Sequence, residues 1–207
     1  MQTVDPFRSR VIPLIGIALA VAGIILSFML TRGFFQHTVL AETTDCAINS
    51  YIDCDKVSAS SFAAVGSVPI STFSLGLHGA ILVALVTAHF VPVGTKGGVI
   101  AGTVILALSG AIASVVLAII SAFIINALCI YCTLLQLINL SLSGTMVLGL
   151  ADGVVRLKRL IATITGPAVG IGALAIAVGA GVAFVTTFSL MNTADNELLK
   201  RQITEAR

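Results

Sequence analysis

Ala127-Leu128-Cys129-Ile130-Tyr131-Cys132-Thr133 sets two thiols three positions apart within an apolar stretch of exceptional length. From Gly97 to Ala151 there are 55 residues without an Asp, Glu, Lys or Arg. A single helix of that length would reach about 82 Å, far beyond a hydrocarbon core of about 30 Å, so the stretch has to fold back as two spans. The bend is expected near Asn126, giving a third helix over about 99–125 and a fourth over about 128–150. Cys129 and Cys132 then open the fourth helix on one face, close enough for a disulfide. Leu and Ile would fill a membrane core equally well. The thiol pair therefore points to electron traffic, against the plainer reading of two small apolar residues that pack well.

Outward from this point the chain is 57% hydrophobic and 10% charged over 207 residues, with mean hydropathy +1.11. An ordinary soluble domain is about 25% charged, so composition alone defines an integral membrane protein. A net charge of +2 is too small to imply a nucleic-acid surface, and no nucleic-acid partner is expected. Val11 to Thr31 is free of charge and long enough for a first span. It exceeds the apolar run of a signal peptide, and no A-x-A site follows. Arg32 to about Pro69 is the longest polar region and carries Cys46 and Cys54 among Glu42, Asp45, Asp53 and Asp55. Its later part, Ser60 to Val65, is mildly amphipathic, and is expected either to lie along the bilayer as a lid or to form a solvated loop. A second span follows over about 70–91, then a tight polar turn from Pro92 to Gly98. Asp152 to Arg159 is a charged loop, and Pro167 to Leu190 is a fifth span, with Gly170, Gly172, Gly179 and Gly181 suited to close packing. The tail from Met191 is short and polar. The fold class is thus all-α: a polytopic membrane protein with a four-helix transmembrane bundle plus a fifth transmembrane helix, in one domain over 1–207 whose redox loop is 32–69.

The positive-inside rule orients these spans with the N-terminus in the cytoplasm, which leaves +4 on the inner segments and −2 on the outer ones. The Cys46/Cys54 loop and the C-x-x-C then share the outer face, where thiol exchange between the pairs is geometrically possible and the compartment permits disulfides. Cys129, in the first turn of its helix, gains from the unpaired N–H groups and the helix dipole. Cys132 lies one turn deeper, where a thiolate is costly unless a partner takes its electrons, and a membrane quinone would be such an acceptor. Gln136, Asn139 and Ser143 continue the Cys132 stripe, so Gln136 is a candidate quinone-carbonyl contact, with interhelical bonding as the alternative. His37, His78 and His89 show no ligand spacing, and His78 is expected to be a polar residue near a helix end. A four-cysteine zinc site is disfavoured because C-x7-C is too open, so no metal is expected.

These features resemble the vitamin K epoxide reductase family of quinone-linked, disulfide-generating membrane proteins. The resemblance rests on Cys46-x7-Cys54 after the first helix, on Cys54-Asp55-Lys56-Val57, on Cys129-Ile130-Tyr131-Cys132 opening the fourth helix, and on their order. It covers about 11–150, and the fifth helix is similar to that of the longer bacterial members. The order also sets the chain apart from the DsbB-type oxidases, where the C-x-x-C comes first. The resemblance implies that Cys46 exchanges with a thioredoxin-fold partner and that Cys54 passes electrons to Cys129, freeing Cys132 to reduce a quinone (ubiquinone, menaquinone or phylloquinone). It further implies a role near the redox centre for Ser60; Asn139, by its place on the Cys132 stripe beside Gln136, is a further candidate quinone contact. Animal members often carry Tyr where Gln136 stands, which sets vitamin K epoxide reduction proper apart as an alternative. No fused thioredoxin domain is expected, so the partner would be a separate DsbA-like protein at the outer face of a bacterial inner membrane. A non-enzymatic scaffold or small transporter with structural cysteines is the rival from another class.

Overall fold

The computed structural model describes residues 11–40, 46, 48–66, 68–90, 92–149 and 167–205. The charged loop expected at Asp152 to Arg159 lies outside these residues, as does the packing expected at Gly170 and Gly172.

Helices α1 (Val11–Leu40), α3 (Ile70–Phe90), α4 (Val93–Ile119, continued by a π-helical turn over Ile120–Ile125) and α5 (Ile130–Gly149) form the bundle. These four, counting α4 from Lys96 and with its π turn, are long and apolar enough to cross a membrane among the described residues. With no water in a bilayer to satisfy stray backbone groups, helices are the natural outcome for such uncharged runs. A short helix α2 (Cys54–Ser58) and a two-strand hairpin, β1 (Ala64–Val65) antiparallel to β2 (Val68–Pro69), cap one end of the bundle. A last helix, α6 (Pro167–Glu205), runs along α3. The chain is an all-α polytopic membrane protein.

Three boundaries differ from the sequence expectation. Helix α1 runs nine residues past Thr31, because Phe35 still finds a buried site and Thr38 Oγ1 donates to Phe34 O at 2.7 Å. The turn expected over Pro92 to Gly98 shrinks to its first residue: Pro92 caps α4, and Lys96 N–H donates to Pro92 O at 3.1 Å to close the first helical turn. Helix α6, expected as a fifth span ending at Leu190, continues through the polar tail as far as Glu205. At 39 residues this helix spans about 58 Å by the 1.5 Å rise per residue.

The segment from Ser60 to Val65 is a turn leading into the hairpin. Asn126, where the bend was expected, has φ 53° and ψ 42°. That left-handed conformation is one Asn tolerates better than most residues, and it ends the π-helical turn. Ser121 secures the bend from both sides: its carbonyl accepts from Ala127 N–H at 3.2 Å and its hydroxyl donates to Ala127 O at 2.9 Å.

Small residues let the helices approach. On α1 the buried positions Pro13, Gly16, Ala20, Gly23, Ser27 and Thr31 recur every three or four residues. They face a core that includes Ile81, Leu85, Ile100, Val104, Leu142 and Met146. Helix α6 runs antiparallel to α3: Gly179 lies against Gly76 and Ala80, and Thr72 and Thr187 share a hydrogen bond at 2.9 Å. A Cβ at Gly179 would strike the Gly76 carbonyl, so this contact requires glycine.

His78 is not near a helix end, as its sequence context suggested, but in the middle of α3 and fully buried. Its Nδ1 is 2.8 Å from Ser74 O, and Nε2 has no hydrogen-bond partner among the described residues. The ring occupies the space that a side chain at Gly23 would need. Gly23→Ala is therefore expected to destabilise the protein by about 1–3 kcal/mol through overpacking. Thermal unfolding in detergent checks this: Gly33→Ala, which meets open space, should leave the midpoint unchanged, and adding His78→Ala should recover part of the Gly23→Ala loss.

Candidate functional site

The polar loop reaches the apolar C-x-x-C segment through a backbone zipper. Leu128 N–H donates to Tyr51 O at 2.7 Å and Asp53 N–H donates to Leu128 O at 3.0 Å, forming a parallel bridge between Ile52 and Leu128. Each strand of this bridge leads directly into a cysteine, Cys54 on one side and Cys129 on the other. Local capping holds both in place. Asp53 accepts from Lys56 N–H at 2.9 Å and starts α2, while Lys56 Nζ reaches Asn126 O at 3.3 Å. Asn49 Oδ1 accepts from Tyr51 and Ile52 N–H at 2.9 and 2.8 Å, closing the turn between the loop cysteines. On the far side His37, near the end of α1, is 3.6 Å from Asp55.

The result is a buried cluster of sulfur. Cys46 and Cys54 form a disulfide, with Cα atoms 5.5 Å apart, and Cys129 and Cys132 are free thiols. The Cys129 sulfur is 3.2 Å from the Cys54 sulfur. All three sulfurs of Cys46, Cys54 and Cys129 lie within 4.8 Å of one another.

Cys129 is one residue ahead of α5, at its cap, and not in the first turn. Its sulfur accepts from Cys132 N–H at 3.3 Å, as a capping oxygen would, and Thr133 N–H donates to Cys129 O at 2.9 Å. The Cys132 thiol, hydrogen-bonded to this sulfur, holds the Cys129 thiol below the ordinary cysteine value; the Cys132 and Tyr131 N–H groups act in the same direction, while burial opposes them. A lowered value enlarges the thiolate fraction, and the thiolate is the form that attacks disulfides.

Beneath the sulfur cluster is a cavity of about 370 Å³, a size typical of small-molecule sites. Cys132, Gln136 and Asn139 line it from α5, at the helical spacing that places them on one face. Ser60, whose hydroxyl donates to Val57 O at 2.7 Å, lines it from the cap, together with Phe62 and Ala63. Ser143, the next polar residue of the α5 stripe, is buried outside the cavity. Asn139 Nδ2 donates to Ser114 Oγ at 2.9 Å across to α4. Apolar walls come from Leu30, Phe34, Leu117, Ile120 and Leu135.

Between α3 and α4 the lining residues Phe73, Ser109 and Ala113 are exposed, so the cavity opens sideways on the apolar surface of the bundle. Hydroxyls that sequence reasoning did not single out, those of Ser71, Ser74, Ser109, Ser114 and Ser121, also line it. Their signal was available as serines in otherwise apolar spans. The backbone zipper had no side-chain signature at all.

Helices of this length and apolarity, joined to a thiol and disulfide cluster over a cavity, define a polytopic membrane protein built for redox chemistry on sulfur. Residues 14–148 match the vitamin K epoxide reductase family. The match spans well over half of the chain, and the chain belongs to that family, whose members are membrane oxidoreductases of disulfides and quinones. No curated protein matches the sequence.

Proposed function

We propose that the chain oxidises a reduced thioredoxin-fold, DsbA-like protein and delivers the two electrons to a membrane quinone held in the cavity. The observation that carries this reading is the 3.2 Å contact between the sulfurs of Cys54 and Cys129, with Cys132 on the cavity wall.

In this reading the partner's thiolate attacks Cys46, opens the Cys46–Cys54 bond and leaves as a disulfide, so that both loop cysteines become thiols. Cys54 then attacks Cys129 of an oxidised Cys129–Cys132 pair, and the departing Cys132 sulfur takes up the proton that Cys54 gave up. Cys46 attacks Cys54 in turn, restoring the loop disulfide and releasing Cys129. The loop disulfide beside the free Cys129 and Cys132 thiols supports such a stage. A quinone in the cavity would accept two electrons and two protons as the Cys129/Cys132 dithiol closes to a disulfide, and would leave as the quinol. Gln136 and Asn139 offer amide groups to its carbonyl oxygens, Ser60 a hydroxyl near the redox centre, and the apolar walls exclude water. The N-terminus belongs in the cytoplasm and the sulfur cluster at the periplasmic or exterior face of a bacterial inner membrane, α6 being the fifth span.

Full-length protein in liposomes with ubiquinone or menaquinone should convert a reduced thioredoxin-fold protein to its disulfide with formation of one quinol per disulfide. Absence of turnover with both quinones would overturn the reading. The sideways opening supports entry of a prenylated ring from the bilayer. Ser109→Phe, narrowing that opening, is expected to raise KM for a long-tailed quinone about tenfold, equivalent to about 1.4 kcal/mol. The same change should leave a tail-less quinone nearly unaffected, and steady-state kinetics with the pair provide the check.

A further inference from the structure

The cluster of sulfurs that brings Cys54 and Cys129 to 3.2 Å becomes, once the loop disulfide is reduced, three thiols within reach of one another. We propose that the reduced chain captures one zinc-group divalent cation through Cys46, Cys54 and Cys129, and that the bound ion closes the relay until a chelator removes it.

Distance is the first support. Zinc–thiolate bonds of about 2.3 Å place two thiolates on one tetrahedral ion about 3.8 Å apart. The Cys54–Cys129 separation of 3.2 Å and the 4.8 Å limit on all three pairs bracket that value, and reduction lets the bonded pair relax to a non-bonded distance. The C-x7-C spacing, too open for a metal site when read along the chain, is closed by the fold.

Preorganisation is the second support. The Asn49 turn, with Ile48 N–H donating to Ile52 O at 2.9 Å, folds Cys46 back beside Cys54, and the Leu128 zipper brings Cys129 to both. The Cys132 N–H already donates to the Cys129 sulfur, an outer contact of the kind that steadies metal-bound thiolates.

The donor set is the third support. Among the described residues the adjacent carboxylates are engaged elsewhere, Asp53 in capping α2 and Asp55 with His37, and the three ligand atoms that cluster are all sulfur. Sulfur-only sites favour zinc-group cations over magnesium or calcium. All three cysteines are buried, with exposures of 4%, 4% and 2%, so a bound ion would sit away from bulk water.

The binding step breaks three S–H bonds, forms three S–metal bonds, releases three protons and transfers no electrons. Because exchange needs a free thiolate, an ion on Cys54 and Cys129 stops it. That consequence rests on the relay proposed above, whereas the binding itself does not.

The test uses purified full-length protein, reduced with a phosphine, freed of reductant and titrated anaerobically with Cd²⁺ while sulfur-to-cadmium charge-transfer absorption is followed. One Cd²⁺ per chain is expected. Cys46→Ser, Cys54→Ser and Cys129→Ser should each weaken binding at least about 100-fold, and Cys132→Ala should change it less than about threefold, as expected for ligands against a neighbour. Wild-type binding in Cys129→Ser, or equal loss in Cys132→Ala, would overturn the site. Cadmium NMR of the wild-type protein gives a reading that needs no variant, and a shift indicating fewer than three sulfur ligands would also overturn it. Cd²⁺-loaded protein should lose at least about tenfold of its quinone-coupled turnover and regain it with chelator, since the attacking thiolate is withheld. Undiminished turnover in the loaded state would overturn the closing of the relay. Metal-free protein without any turnover would instead refute the proposed function and leave the Cd²⁺ titration to decide the site.

Discussion

Replacing Cys132 with alanine is expected to abolish quinone-coupled turnover, by at least about 10³-fold, because removing a covalent nucleophile leaves no equivalent group. Cys132 is the cysteine that lines the cavity, while the other three form the buried sulfur cluster above it. The variant keeps Cys129 at 3.2 Å from Cys54, so the Cys129 thiolate can still attack Cys54 of the loop disulfide and release Cys46. What disappears is the thiol that pairs with Cys129 to give two electrons to the quinone. A Cys54–Cys129 bridge should therefore accumulate when the released Cys46 thiol is alkylated and can no longer reverse the step. Peptide mapping under non-reducing conditions checks this directly. Recovery of only the Cys46–Cys54 bridge would mean that the two cysteine pairs do not communicate. The same variant separates an oxidase from a scaffold with structural cysteines, since a scaffold would keep its function.

The second large effect is expected at a residue that carries no redox chemistry. Leu128 contributes both hydrogen bonds of the zipper through its backbone, the N–H to Tyr51 O and the carbonyl to Asp53 N–H. Leu128→Pro deletes the donor, because proline has no N–H. Cys129 then loses its alignment with Cys54. A displacement of about 1 Å at a reacting pair can cost about 10²-fold, and a loss of that order is expected in oxidation of the protein partner. Oxidation of a small dithiol that reaches the Cys129/Cys132 pair without the loop should fall much less. Stopped-flow comparison of the two substrates is the measurement. Equal losses would indicate damage to the helix α5 pair itself, and Leu128→Ala, which keeps both backbone groups, should behave nearly as wild type on both.

These two variants also mark which parts of the protein are written along the chain and which are not. The long uncharged runs, and the fold-back at Asn126, follow from hydropathy and length alone. Stripe residues Cys132, Gln136 and Asn139 share a face because helical spacing leaves no other arrangement. Helix α1 past Thr31 and α6 past Met191 were misjudged for a common reason: charge and polarity mark where lipid ends, and a helix can continue into water when a buried contact such as that of Phe35 supports it. His78 was misplaced because its burial depends on Gly23 of another helix, a complementarity of volumes that hydropathy does not encode.

By itself the sequence determined that this is a helical membrane protein with two cysteine pairs, since excluding charge from lipid and satisfying every backbone group admit few alternatives. Only the tertiary structure decided that Cys54 meets Cys129, that Cys132 faces a cavity, and that three sulfurs share one pocket. Those outcomes depend on hydrogen bonds between backbone groups about 75 residues apart, such as Leu128 and Tyr51, and backbone groups are the same at every position of the chain.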